Sequence, residues 1–286
     1  MRRLGLPLLF LITMDGGAQK PAPTAPAMAS AVPIERRDPA LDAASDLIGR
    51  ALFLRCFCAE NNLQFDTQGK PTGQIKTVDW TLAGVNVQKA ERKDANTIQL
   101  EGVRVAIRYA TDRREFDRHP LNDEKVRILL ADPGNPAAFQ SALKTIFSVG
   151  IDRTLQHSMP DFWQHYFEPT KDWQDDLKGQ TIYTPGTPGT PAGLAGPTQT
   201  HKADAGYSEP ATHDRVQGTL TLRMIVDTNG SPRRVTVVQP LGYGLDARAA
   251  EAAEKFRFAP GMLNGIPVDE SIVINQQFEL VPVPGR

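Results

Sequence analysis

The clearest alternation of apolar and polar positions lies in the last third of the chain. Leu220, Leu222, Met224 and Val226 alternate with Thr219, Thr221, Arg223 and Ile225, which predicts a strand from Gly218 to Asp227 with one mainly polar face. Asp227-Thr228-Asn229-Gly230 has the chemistry of a tight turn, because Asn and Gly accept positive φ, and a second strand follows from Arg233 to Gln239. Gly242 and Gly244 interrupt it. Leu245, Ala249, Ala252, Ala253 and Phe256 then recur at spacings of three and four, placing them on one helical face packed against the hairpin. Pro260 bars the helix from continuing, and Asn264-Gly265 turns the chain back. Ile272, Ile274, Gln276, Phe278 and Leu280 alternate with Val273, Asn275, Gln277 and Glu279 as a final strand. The predicted order is ββαβ with a three-stranded antiparallel sheet.

Upstream the pattern is mixed. Leu41, Ala44, Leu47, Ile48, Ala51 and Leu52 are spaced as an amphipathic helix after Pro39. Aliphatic and β-branched runs at residues 82–89, 97–100, 103–109 and 126–130 predict strands. Asn135 and Pro136 open a second helix carrying Phe139, Leu143, Ile146 and Phe147 and ending at Gly150. The aromatic cluster Phe162, Trp163, Tyr166 and Phe167 is expected to dock on the core. Between the two regions, residues 184–197 read TPGTPGTPAGLAGP, with eight of fourteen positions Pro or Gly. Such a stretch lacks donors and has excess backbone freedom, so residues 173–205 are expected to be a linker between two bodies. The fold class expected is α+β in two domains, residues 38–172 and 206–286.

Arg2 and Arg3 precede an apolar run over residues 4–14, followed by Gly16, Gly17 and Ala18, the layout of an export signal over residues 1–18. The run is shorter than the roughly 20 residues a membrane-crossing helix needs. The expected location is therefore the periplasm, with membrane contact only through partners or an uncleaved signal. A Pro/Ala-rich lead over residues 19–37 is expected to be disordered. A length of 286 residues allows about two domains, and a net charge of −1 removes the usual drive for binding nucleic acid.

The sequence offers little for catalysis. His157, Asp161 and His165 are spaced for one helical face, but Pro160 interrupts it, so they are expected to be surface or packing residues and no metal is assigned. Hydrolase, zinc-protease, phosphate-loop and dinucleotide motifs do not occur, so no catalytic residue and no cofactor is assigned. Cys56 and Cys58 are expected to be small buried hydrophobes, since a bridge between them would close a strained loop. The mixed charges of residues 113–127 predict a solvated loop and face.

The C-terminal region resembles the C-terminal domain of the TonB family over about Tyr207 to Val283. The likeness rests on an ordered set: Tyr207 near Pro210, Gly218, Val226-Asp227 with Asn229-Gly230, Leu245-Asp246 with Ala249, Phe256-Arg257-Phe258-Ala259-Pro260, Asn264-Gly265-Ile266-Pro267-Val268, and Phe278-Glu279-Leu280. Where the family has Tyr-Pro, this chain has Tyr207-Ser208. The resemblance implies a non-enzymatic module of TonB-dependent transmembrane transport that binds a short peptide of an outer-membrane transporter, or another envelope protein, along its last strand. It points to Tyr207, Ile272, Val273, Ile274, Asn275, Gln276 and Gln277 as the partner-binding residues. A sheet with open edges also pairs with its own kind, so an envelope scaffold that forms homodimers is the alternative.

Overall fold

The computed structural model describes residues 37–280, so the expected export signal and nearly all of the lead lie outside the described residues. Asp38 caps the first helix, α1 (Pro39–Ser45), by accepting from the Leu41 amide at 3.1 Å. The helix is shorter than its apolar spacing predicts. Gly49, at φ 76°, lies in the turns that end it, and Leu52 falls in a strand instead. The chain continues through β1 (Leu52–Leu54), β2 (Asn62–Phe65), a 3-10 turn at Trp80–Leu82, β3 (Gly84–Asp94), β4 (Thr97–Ala110) and β5 (Glu115–Ala131). Then come α2 (Pro136–Ile146), β6 (Phe147–Val149), α3 (Arg153–His157) and α4 (Asp161–Phe167).

These strands form a six-stranded sheet in the order β2-β5-β4-β3-β1-β6. The runs expected as two strands at residues 97–109 are one continuous strand. The charged stretch expected as a loop is the first part of β5. Charges are tolerated there because β2 pairs only with Arg127 to Leu130, leaving the earlier part of β5 bonded on one side, to β4. Asn135 caps α2 through its side-chain oxygen, which accepts from the Ala137 and Ala138 amides at 2.9 and 3.1 Å. Past Ile146 the chain turns extended, and β6 pairs with β1.

Cys56 and Cys58 are joined in a disulfide, not left as separate buried hydrophobes. Phe57 between them sits at φ 48°, and this left-handed residue brings the two Cα atoms to 5.1 Å, within normal bridging range.

From the linker onward the elements are β7 (Ile182–Tyr183), β8 (Leu194–Ala195), β9 (Thr198–His201), α5 (Glu209–His213), β10 (Gly218–Val226), β11 (Pro232–Gln239), α6 (Leu245–Ala253), β12 (Arg257–Ala259), β13 (Gly261–Leu263) and β14 (Ile266–Phe278). The expected ββαβ order gains two short strands between helix and last strand. The expected three-stranded sheet is the centre of a larger one, ordered β11-β10-β14-β13-β8, with β7 added to β14 in parallel. Gly230 makes the predicted hairpin turn at φ 78°. A side chain there would also collide with the Phe258 carbonyl, whose own amide donates to the Gly230 carbonyl at 2.9 Å.

Residues 173–205 do not separate two bodies. From Asp38 onward the chain is one compact unit. Phe53, Trp80, Val105, Ile107, Leu155 and Trp163 share one buried cluster with Leu220, Leu222, Met224, Leu245, Ala249 and Phe256. A second cluster lies between α1, α2 and the first sheet, with Leu52 and Leu54 on that side and Phe53 on the other. Backbone bonds also cross the junction: the Tyr109 amide donates to the Leu241 carbonyl (3.1 Å) and the Tyr243 amide to the Ile107 carbonyl (2.8 Å). Gly242, at φ 92°, permits this approach, since a side chain there would overlap the Ile107 carbonyl. Prolines and glycines prevent a long element in the linker, but the short runs between them still pair, as β7, β8 and β9 do.

Candidate partner-binding edge

The last strand is the longest of the C-terminal sheet, and its two sides differ. On one side β10 pairs along its full length, from Gly218 opposite Phe278 to Val226 opposite Glu270. β13 pairs with Ile266 to Val268, and on the side away from β10, β7 covers Asp269 and Glu270. Residues 271–278 have no strand on that second side among the described residues. Their outward N–H and C=O groups are therefore open to pairing with an extended segment.

Alternation sorts the side chains of this strip. Val273, Asn275 and Gln277 share the outer face with Arg223, Thr221 and Thr219, their partners in register. Val273 is 57% exposed. The Thr221 hydroxyl donates to Asn275 Oδ1 at 2.9 Å, the Gln276 amide donates to the Gln277 carbonyl at 3.0 Å, and Gln277 donates to Glu279. Ile272 and Ile274 lie on the inner face, half-buried beside Met224 and Leu222. The face toward the core is therefore anchored and the outer face is polar, apart from Val273.

Tyr207 sits at the far end of the strip. Its ring meets Phe278 edge-on at 5.2 Å, and its buried hydroxyl has no hydrogen-bond partner among the described residues. Burial, and then the charge of Glu279, push its phenol above the usual tyrosine range. The next residue, Ser208, starts α5 by capping the Ala211 amide at 3.2 Å and donates to the Tyr243 carbonyl at 2.6 Å. Ser208 thus ties this segment to the helix-entry turn. The structure brings all seven sequence-derived residues, Tyr207 and Ile272 to Gln277, to one strand and its end.

Sequence reasoning missed Ile182, Tyr183 and Glu270. The signal for the first two was an apolar, strand-favouring pair inside a Pro/Gly-rich stretch. Glu270 carried none, because an alternating strand pattern gives no hint that one carboxylate is covered. The histidines of the rejected metal spacing are separated by Pro160, which precedes α4, and His165 stacks on Trp173 with ring centroids 3.6 Å apart. No group of His, Cys, Asp and Glu suited to hold a metal occurs among the described residues.

A search of the curated proteins found no match to this chain. Residues 204–280 match the family model described as Gram-negative bacterial TonB protein C-terminal. This span takes in Tyr207, the β10–β11 hairpin, α6 and all of β14. The C-terminal part of the chain, residues 204–280, belongs to the TonB C-terminal domain family.

Proposed function

We propose that this chain is a periplasmic, non-enzymatic binding protein of TonB-dependent transmembrane transport, and that it takes an extended segment of an outer-membrane transporter or another envelope protein as an added strand on β14. The observation that carries the reading is the open side of residues 271–278, in the domain that matches the TonB family. Main-chain bonds would supply most of the affinity, while Val273, Asn275 and Gln277 meet the alternate side chains of the incoming strand. Tyr207 closes the end of the strip.

The Cys56–Cys58 disulfide supports an oxidising compartment, as an exported protein meets. No helix among the described residues is long and apolar enough to cross a membrane.

Photo-crosslinking side chains placed in cells at Val273 and Gln277, with Arg248 on α6 as the control position, test the reading. The expected adducts join both strand positions, and not Arg248, to the periplasmic segment of an outer-membrane transporter or another envelope protein. Adducts only to a second copy of the chain would replace this reading with self-association. Absence of strand-specific adducts would refute both.

A further inference from the structure

The open strip does not begin at a free end. Immediately below it, β7 occupies the same side of β14, with Ile182 opposite Asp269 and Tyr183 opposite Glu270. We propose that β7 is a resident strand at the foot of the docking edge, and that an incoming strand displaces it together with its tail. This inference rests on strand addition at β14 and adds how access to that edge is controlled.

Two observations carry it. The resident pairing is only two residues long, and it cannot climb the strip, because Thr184-Pro185-Gly186 follows and proline has no amide to donate. Thr184 and Pro185 already border a cleft with Arg223, Ser271, Ile272 and Val273, so the resident's tail stands where an incoming strand would start.

The second observation is that the linker is held elsewhere. Asp175 and Asp176 pair with Arg234 and Arg233 of β11, Arg234 lies over the Trp173 ring at 5.7 Å, and Leu177 is buried. β8 and β9 attach to β13 and β12. With both flanks fastened, β7 can lift without the linker leaving, and it can return when the edge empties.

The test uses the full chain and a fluorescent synthetic peptide of the resident sequence, residues 178–187. Ile182→Pro removes the resident's pairing, and Ile182→Gly with Tyr183→Gly does so without proline's constraint. Both releasing variants are expected to bind the peptide about tenfold more tightly than the unaltered chain, because the competing closed state is gone. In the unaltered chain, added peptide is expected to speed amide exchange at residues 182–183. Equal peptide affinity for all forms, with unchanged exchange, would overturn the inference. Strand-specific crosslinks at Val273 and Gln277 alongside that result would show that docking stands and only the resident strand fails.

Discussion

Asp246 shows how much of a residue's role lies outside its own sequence neighbourhood. It opens α6 and accepts the Leu241 and Gly242 amides at 2.8 and 2.6 Å, fixing the loop that joins the two sheets. Its side chain is fully buried, and it lies near the partly buried Asp79, which caps the Trp80 turn and accepts from Trp163 Nε1 at 2.7 Å. Burial, and then the nearby Asp79 charge, push the Asp246 carboxyl up to about 7. An unfolded aspartate titrates near 3.9, so between about pH 4 and pH 7 the folded chain keeps a proton that the unfolded chain gives up. Stability should therefore fall as pH rises through that window, by up to a few kcal/mol. Urea unfolding midpoints at pH 5 and pH 7.5 check this: the midpoint is expected to be lower at pH 7.5, and Asp246→Asn should flatten the difference. The motif made Asp246 visible, but the neighbouring charge that raises its carboxyl, Asp79, lies more than a hundred residues away in sequence. Gly242 is a similar case, readable as a turn but not as the point where Ile107 touches the loop.

Among elements, local signals served best where partners were also local. Asn135-Pro136 and Asn264-Gly265 sit where they were expected, one opening α2 and the other turning β13 into β14, with φ of 53° and 85° at the two turn residues. The charged first part of β5 was unreadable as a strand because its pairing with β4 leaves it only half-buried, so no clean apolar alternation marks it. The linker strands were hidden by their composition, since two or four residues between prolines and glycines form a strand only when a finished edge is already there. The aromatic segment did dock as expected. In α4, Trp163 is fully buried and meets Trp80 edge-on at 5.3 Å. Trp163→Ala is expected to cost about 3–5 kcal/mol, because it opens a cavity and strands the Asp79 carboxylate. Equilibrium denaturation of the full chain measures it. A loss under about 1 kcal/mol would show that α4 is peripheral.

At the scale of the molecule, the sequence suggests two bodies on a tether, and the packing joins them. Composition could locate the tether but not the shared core, because the apolar face of β10 looks the same whether a helix alone or a helix and a second sheet cover it. Calorimetry of the full chain is expected to show one cooperative transition, and two separated transitions would restore independent domains. A fused body also gives the β14 edge a fixed platform, with the linker resting on part of it.

The central claim is that residues 271–278 receive a strand through their backbone. Amide hydrogen exchange of the full chain, with and without a synthetic extended segment from the periplasmic end of an outer-membrane transporter, measures this directly. New protection concentrated at residues 271–278, with faster exchange at residues 182–183, is the predicted result. Binding that leaves residues 271–278 unprotected and slows exchange elsewhere would contradict it.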